Sequence, residues 1–573
     1  MTETSTTGTG PRAVVIGQGA AGLTAALALA RAGVEVVSLS KVTPGTATCT
    51  LYAGGGFTLG IGGLSPEQHR EMTFATGRRI NVPELLATFA GEAPTIVDFL
   101  SGAGVPFRTG NGGLGVAPTE GLPLLGGKSL TDGLAAACRA AGVSFRPNTA
   151  AMRIITGDRG VSGVDCLDLD SGTGFTLPAE SVVLATGGAG ALFPRTDNPA
   201  RISGDGYRLA LDAGCHLLDM EFVQFYPIGI DIPGGATWFM DLGTIDLARV
   251  TGPDGSEFLK EMLAREGISS GREANLLARD KCTVAIALAN ARGEVLLHLE
   301  DIPPEVWQSN HHLSAIARMF PKSRPAGSEP VPLHPVEHYF PGGVAIGTEG
   351  ETEIPGLFAC GEVTGGVDGA NRVGGNALTN CILFGSRAGN AAARHAHGDS
   401  VAPLRLAPLT AAPVGTPATA APALPAALPV PLPAAWTADD WLARWRRNVD
   451  AADAVPAGEL RRELRQVAAD CLLPVRTAAQ LAAGLARLGE LADRLLRQKI
   501  EQRRDLLLAT ENLGLWYSAA AVAAAAALRT ESRGAHYRAD YPHEDTTWER
   551  HILLHRDGAG LVRETSATTG IFA

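Results

Sequence analysis

One stretch of the chain, Gly356–Gly389, combines residue types that suit a buried cofactor. A short apolar run leads into a glycine-rich loop that contains Glu362 and Arg372, and a helix is predicted to begin at Asn376-Ala377-Leu378. Glycines let backbone N–H groups approach a ligand, and a helix N-terminus presents unpaired N–H groups and a positive dipole end. Arginine can hold a carboxylate through two parallel hydrogen bonds. The alternative is an ordinary glycine-rich loop with a surface arginine.

A second glycine turn lies near the N-terminus and favours the cofactor interpretation. The apolar strand AVVIG runs into Gly17-Gln18-Gly19-Ala20-Ala21-Gly22, and a helix, a glycine and the strand VEVVSLS follow. This order predicts a βαβ unit in which a pyrophosphate rests on the helix N-terminus. Ser40-Lys41 stands where an acidic residue usually reads the ribose, so this turn alone does not separate NAD from FAD.

Further candidate contacts are spread along the chain. They are Gly54-Gly55 in a glycine-rich loop, Ala185-Thr186-Gly187 after a third apolar strand, and Asp205 in the segment GDGYRLALDAG. Glycine-rich turns near residues 17, 185 and 361 span most of the chain and match a long ligand. The pattern therefore predicts FAD rather than NAD.

Composition excludes several function classes. The chain of 573 residues has 48 Lys and Arg against 59 Asp and Glu, a net charge of −11, which argues against nucleic-acid binding. No apolar run is long enough to cross a membrane, and the first residues carry no signal-peptide pattern, so we expect a cytoplasmic protein. The eight cysteines contain no C-x-x-C pair, and no metal site is predicted.

The same sequence patterns predict the domains. A disordered tail covers residues 1–12, and an FAD-binding domain covers 13–232 and 333–400 with a capping domain inserted at 233–332. An Ala- and Pro-rich linker covers 401–435, and the helix-forming sequence beyond it predicts a helical C-terminal domain over 436–573. The fold class expected is α/β, with a Rossmann-like FAD-binding domain, an inserted α+β cap and a helical C-terminal domain.

Over almost its whole length the chain resembles the flavoproteins of succinate dehydrogenase, fumarate reductase and L-aspartate oxidase. The matching pieces are GQGAAGL, the ATGG turn, GDGYRLALDAG with DMEFVQF, HYFPGG, GLFACGE, GANRVGGNAL and ESRGAHYRADYP. The resemblance implies an FAD-dependent oxidoreductase that exchanges hydride between flavin N5 and a carbon flanked by carboxylates. It implies that His338 and Arg372 hold a substrate carboxylate, that Glu362 binds hydroxyls of the cofactor, and that Ala377 and Leu378 contact the flavin ring.

The substrate side departs from the family pattern. Tyr226 stands in place of a family histidine, and residues 244–248 lack the arginine expected there to transfer a proton. Tyr226, Asp241, Asp246 and Arg249 are the candidates to replace it. Cys49 aligns with the residue that links flavin covalently in succinate dehydrogenases, and we expect noncovalent FAD, with a cysteinyl link as the minor alternative.

These departures predict a substrate other than plain succinate or fumarate. The leading hypothesis is oxidation of aspartate, an N-substituted aspartate or another modified C4-dicarboxylate. One alternative is a catalytically degenerate flavoprotein with a binding or assembly role. Another is a flavoprotein of the succinate or fumarate type that works with an iron–sulfur partner. The electron acceptor stays open, and a homo-oligomer is compatible with the sequence.

Overall fold

A parallel β-sheet near the N-terminus organises the structure, a computed structural model. It describes residues 10–122, 124–231, 237–310, 313–314, 316–317, 329–407, 409–411, 427–429, 433–558, 560–567 and 571–572. The helices are α1 Ala20–Arg31, α2 Cys49–Tyr52, α3 Pro66–Thr76, α4 Pro83–Glu92, α5 Ile96–Gly102, α6 Gly126–Ala140, α7 Asp205–Ala213, α8 Phe258–Arg265, α9 Gly271–Leu277, α10 Arg279–Asn290, α11 Pro304–Ser309, α12 Asn376–Ala396, α13 Ala438–Arg447, α14 Ala457–Cys471, α15 Ala478–Leu495 and α16 Arg503–Leu528. The strands are β1 Arg12–Ile16, β2 Glu35–Leu39, β3 Gly56–Thr58, β4 Phe107–Gly110, β5 Gly113–Val116, β6 Ser144–Arg146, β7 Thr149–Gly157, β8 Gly160–Asp168, β9 Thr173–Pro178, β10 Ser181–Leu184, β11 Leu217–Leu218, β12 Gln224–Asp231, β13 Thr237–Phe239, β14 Val250–Thr251, β15 Leu296–Leu297, β16 Val331–Pro332, β17 His334–Tyr339, β18 Gly343–Val344, β19 Leu357–Ala359, β20 Thr410–Ala411, β21 Ala427–Pro429, β22 Val455–Pro456, β23 Val475–Arg476, β24 Gln498–Lys499, β25 Tyr537–Arg538, β26 Arg550–Asp557 and β27 Gly560–Ala567.

The sheet has the strand order β19-β10-β1-β2-β6, and every neighbouring pair in it is parallel. Its central strands are almost fully buried, which explains why they read as unbroken apolar runs in the sequence. The three glycine-rich turns follow β1, β10 and β19 and therefore meet at one edge of the sheet. This arrangement confirms the predicted Rossmann-like domain.

Helices α1 and α12 pack so closely that backbone atoms of α1 contact glycines of α12. A Cβ added to Gly385 would lie 2.7 Å from Ala21 O, and one added to Gly389 would lie 2.6 Å from Ala25 O. Only glycine at these two positions of α12 permits so close a contact. The N-termini of both helices are thereby held at the same edge of the sheet.

The inserted cap has a hydrophobic core of its own. This core extends from Tyr226 to Val336 and is separate from the core of the main domain. The cap core is therefore wider than the predicted range 233–332. Strand β12 begins at Gln224, before that range, and pairs with both β13 and β17. Strands β12 and β17 therefore connect the cap to the cofactor domain.

The C-terminal region is helical as predicted, but it ends in a β-hairpin that the sequence patterns did not predict. Helices α13 to α16 build the helical part, and β26 and β27 form the hairpin. The hairpin pairs with β11 of the main domain, so it belongs to a six-stranded antiparallel sheet and is not an isolated end of the chain. Most of the predicted linker at 401–435 and residues 1–9 of the predicted tail lie outside the described residues, and β1 already begins at Arg12.

Among the described residues, no helix combines the length and the apolar character needed to span a bilayer.

Substitution of Gly22 tests the tight β1–α1 turn. A Cβ at Gly22 would lie 2.0 Å from Gly17 O, so Gly22→Ala forces the backbone of the turn apart. We expect a loss of about 3 kcal/mol in the free energy of unfolding, together with loss of bound FAD. Gly91→Ala is the matched control, because Gly91 lies in α4 with open space around it and the change is expected to be neutral or stabilising by up to about 1 kcal/mol. Equal effects of the two substitutions on urea unfolding and FAD content would contradict this account.

Candidate active site

A cavity of about 450 Å³ lies where the glycine turns meet. The predicted cofactor-binding residues that line it are Gly17, Gly19, Ala20, Ala21, Ser40, Lys41, Gly54, Gly55, Ala185, Thr186, Gly187, Asp205, Glu362, Ala377 and Leu378. These residues come from seven separate parts of the chain and meet in one cavity. The cavity is continuous with the wall that carries His338, Arg372 and Tyr226.

Two predicted cofactor residues have a structural role instead. Gly22 is buried in α1 and allows the close approach to Gly17 described above. Asn376 is buried at the start of α12, where its side chain bonds His69 Nε2 at 2.9 Å and Thr73 Oγ1 at 3.0 Å. Neither residue lines the cavity, so both act by positioning the helices whose ends do.

Two helix N-termini face the cavity, and the N-cap residue of each is a glycine. Gly19 precedes α1 and Gly375 precedes α12, and neither has a side chain that could accept from the first-turn N–H groups. Ala20 N donates to Thr50 Oγ1 at 3.0 Å, while Ala21, Ala377 and Leu378 line the cavity. Helix N-termini stabilise negative charge. Two of them in one cavity fit FAD, which has a pyrophosphate and a ring that becomes anionic on reduction.

Lys41 lies in a buried cluster of charges at one end of the cavity. Its Nζ is 2.5 Å from Asp205 Oδ2 and 3.1 Å from Glu511 Oε1. Glu511 belongs to α16 and also pairs with Arg201 at 2.8 Å and Arg461 at 2.6 Å. Burial would raise the pKa of Glu511, but Lys41, Arg461 and Arg201 together hold it below its ordinary value. The cluster therefore ties the C-terminal helices to the cofactor cavity through an ionised carboxylate.

Glu362 is a buried carboxyl group in the wall of the cavity. Its Oε1 accepts a hydrogen bond from Phe340 N at 3.2 Å, and burial raises its pKa to about 7. A carboxyl group that is partly protonated near neutral pH can either donate to or accept from a ligand hydroxyl. This chemistry suits the role that the sequence predicts for Glu362 toward cofactor hydroxyls.

Cys49 also lines the cavity, and its environment favours the thiol. The Sγ donates to Asn198 Oδ1 at 2.8 Å, and burial raises the pKa of Cys49 well above its ordinary value. A protonated thiol is a poor nucleophile. This supports the expectation that FAD is held without a covalent link.

The predicted substrate residues lie on one wall. His338 Nδ1 is 2.7 Å from Asp197 Oδ2, and the ring of Tyr226 meets the His338 ring edge-on with 5.7 Å between centroids. Arg372 is buried, with its Cζ 4.3 Å from the centroid of the Tyr339 ring. The three predicted residues are therefore brought together.

A second buried arginine, Arg279, completes this wall and was not predicted from the sequence. It is the first residue of α10, is 5% exposed, and places its Cζ 5.2 Å from the centroid of the Tyr226 ring. Burial lowers the pKa of Arg279, and the nearby charge of Arg372 lowers it further. The arginine that is absent from residues 244–248 therefore has a counterpart in the cavity wall, which the cap supplies from a different segment. The sequence signal that could have indicated Arg279 is an arginine followed by Asp280 at the start of an apolar helix.

Two proposed proton-transfer residues lie outside the cavity. Asp246 Oδ1 accepts from Gly271 N at 2.7 Å, and the exposed Arg249 donates to Asp301 Oδ2 at 2.8 Å. Both are occupied by partners within the cap and are set aside as candidates. Asp241 does line the cavity, and its Oδ1 accepts a hydrogen bond from Gly243 N at 2.8 Å.

Tyr226 is held by hydrogen bonds on both sides of its hydroxyl. The oxygen donates to Asn275 Oδ1 at 3.1 Å and accepts from Leu242 N at 3.0 Å. Burial raises the pKa of Tyr226 above its ordinary value. The hydroxyl of Tyr226 stays protonated, and both its donor and its acceptor positions are occupied. We therefore assign Tyr226 a packing role in the cavity wall and not a role in proton transfer.

Known proteins resemble this chain over most of its length. The sequence family described as "FAD binding domain" matches residues 12–378, and the one described as "Fumarate reductase flavoprotein C-term" matches residues 461–567. The L-aspartate oxidase of Mycobacterium leprae is 32% identical, over 97% of this chain and 98% of that protein. A fumarate reductase (CoM/CoB) subunit of Methanothermobacter marburgensis is 29% identical, over 95% of this chain and 96% of that protein. A mutant of FrdA from E. coli quinol fumarate reductase has a similar structure, with a TM-score of 0.79 and 26% identity over 97% of this chain and 96% of that one.

Replacing Glu511 with glutamine tests the charge cluster. Glu511→Gln keeps the shape but leaves Lys41, Arg201 and Arg461 without their shared carboxylate, so we expect a loss of about 3 kcal/mol in the free energy of unfolding. Because the pKa of Glu511 is lowered on folding, its stabilising effect is present above the unfolded-state pKa and is lost as the pH falls through the folded-state pKa. Glu501→Gln, at an exposed pair with Lys499, should cost less than about 0.5 kcal/mol. Similar urea midpoints for the two variants would refute the role assigned to the cluster.

Proposed function

Since this chain belongs to the family of FAD-dependent oxidoreductases that includes fumarate reductase and L-aspartate oxidase, we propose that it oxidises aspartate or an N-substituted aspartate. The observation that supports a carboxylate substrate is the incomplete hydrogen bonding of Arg372. Its Nη1 donates to Val373 O at 3.2 Å, whereas its buried Nε has no hydrogen-bond partner among the described residues. A buried, incompletely satisfied guanidinium in a cavity wall is suited to bind a carboxylate.

Arg279 supports a substrate with two carboxylates. Arg372 and Arg279 contribute two buried positive charges to the same wall, and Arg279 Nε already donates to Asn275 Oδ1 at 3.1 Å. Buried charges need compensation, and a dicarboxylate provides two negative charges at once. His338 adds a further contact, because Asp197 engages its Nδ1 and leaves Nε2 as the ring atom for a substrate oxygen.

Asp241 supports an amine on the substrate. It brings a carboxylate to the wall that holds the two arginines and contributes to the electrostatic environment of both Arg279 and Tyr226. An ammonium group on the substrate carbon would pair with such a carboxylate, whereas succinate has no group to do so. The charge pattern of the wall therefore corresponds to aspartate better than to succinate.

The chain's own residues would divide the work of the reaction. FAD, when bound, supplies the two-electron oxidant. Arg372 and His338 would hold one carboxylate and fix the reacting carbon, while Tyr226 excludes water from that side. Arg279, whose pKa is lowered by burial, would accept the proton that the substrate nitrogen loses when the C–N bond is oxidised. With Arg279 in this role, the absence of an arginine from residues 244–248 no longer argues against succinate as a substrate. The preference for an amine substrate then rests on Asp241.

Substrate preference can be measured by anaerobic reduction of the bound flavin. We expect L-aspartate or N-methyl-L-aspartate to bleach it at least about 10-fold faster than succinate, a difference of about 1.4 kcal/mol in the barrier. Asp241→Asn should narrow that difference by slowing the amines alone, and Arg372→Ala should abolish reduction by every substrate. Equal rates with succinate in the unmodified protein would refute the proposed specificity.

Arg279→Lys separates proton transfer from binding. We expect the limiting rate of flavin reduction at saturating substrate to fall by about 100-fold, because the group that exchanges the proton is displaced and changed in pKa. Arg265→Lys, at an exposed cap residue, is the control and should leave the rate unchanged. If Arg279 only bound a carboxylate, the substrate Kd would rise while the limiting rate stayed constant.

A further inference from the structure

Four polar side chains cluster where the C-terminal hairpin joins the main domain. They are His216, His555, Glu564 and Glu353, and all are half-buried. They lie outside the residues that line the cofactor cavity. The proposed function makes no use of them.

Strand register explains why the cluster forms. Strand β11 pairs antiparallel with β26, with Leu217 opposite Leu554, so continuing the register by one residue places His216 opposite His555. In the hairpin, Glu564 lies opposite Leu553, two residues from His555 and therefore on the same face. Three side chains from three adjacent strands thus project to one side of the sheet.

The distances within the cluster suit a bound metal ion. One ring nitrogen of each histidine and one carboxylate oxygen of Glu564 lie within 4.8 Å of one another. His555 Nδ1 is 3.4 Å from Glu564 Oε2, about the ~3.3 Å that separates two atoms bound at ~2.0 Å to a tetrahedral zinc ion. His555 Nδ1 is buried and makes no hydrogen bond within the described part of the chain. An unsatisfied ring nitrogen directed at a carboxylate is readily explained by a cation between them.

Glu353 provides the support that such a site needs. Its Oε1 accepts from His216 Nδ1 at 2.8 Å and from His216 N at 3.2 Å. A histidine that donates from Nδ1 to a carboxylate keeps the lone pair on Nε2, and this contact fixes the ring for metal binding. Glu353 Oε2 is also buried without a partner in the described residues.

We propose that His216, His555 and Glu564 bind a zinc ion, with Glu353 orienting His216. Two imidazoles and a carboxylate form a donor set that suits Zn²⁺, and a water molecule would fill the fourth position. The ion's charge would offset the charges of the two carboxylates, Glu353 and Glu564, which lie beside the two histidines. Because one ligand precedes β11 and two belong to the hairpin, the ion pins the C-terminal hairpin to the main domain.

Metal titration of the FAD-loaded protein tests the site. The probes are Zn²⁺, followed by chelator competition, and Co²⁺, followed by its d–d absorption as a difference spectrum against the flavin. We expect one tightly bound ion per chain and a Tm that rises with Zn²⁺ concentration. His555→Ala and Glu564→Gln should abolish both effects, and Glu353→Gln should weaken affinity by about 10- to 100-fold.

His298→Ala is the matched control. His298 Nδ1 lies 2.7 Å from Glu300 Oε1 in the cap, a similar histidine–glutamate pair whose Nε2 is taken by Thr251, so its loss should leave zinc binding intact. FAD content and the metal-free Tm of each variant show whether it folds. The proposal is overturned if the folded unmodified protein does not bind Zn²⁺. It is also overturned if His555→Ala or Glu564→Gln, with FAD bound, retains wild-type zinc affinity.

Discussion

The backbone contact between α1 and α12 is the constraint on which the cofactor site depends. Each helix begins at a glycine beside the cavity, and Gly385 and Gly389 let the two helices touch without side chains between them. Their positive ends are therefore held in one relative position by a packed interior rather than by flexible loops. Two positive helix ends held by a packed interior suit a ligand with two separated centres of negative charge, and such rigid positioning lowers the entropic cost of binding.

A feature could be predicted from the sequence when a few consecutive residues define it. The turns at Gly17–Gly22, Ala185–Gly187 and Gly361–Val363 are each defined by a few consecutive residues at the end of a strand. Such patterns are readable because backbone geometry dictates the residue types. The parallel sheet then brings the three turns together. They follow strands that run in the same direction, so they lie at the same edge of the sheet.

Arg279 could not be predicted in this way. Its place beside Tyr226 depends on the packing of α10 against β12, where Thr283 Oγ1 donates to Phe225 O at 3.0 Å. That contact is a property of the cap core. The sequence signal, an arginine and an aspartate at the start of an apolar helix, does not show which residue the arginine contacts. Asp246 and Arg249 show the opposite error, because their position near the expected motif did not reveal that Gly271 and Asp301 hold them elsewhere. A polar side chain with several possible partners is positioned by whichever partner binds it best. Closeness in the sequence does not show which partner that is.

The two halves of the site are consequently built by different cores. Within β12, Phe225 packs in the core of the main domain and the next residue, Tyr226, packs in the core of the cap. Arg372 stands on the loop before α12 while Arg279 begins a cap helix, so the two guanidiniums share a wall only because the cores meet there. Substitutions in the cap core can alter Tyr226 and Arg279 while the packing of α1 on α12 is preserved. The cofactor cavity and the substrate wall can therefore change independently of each other, because a different core positions each.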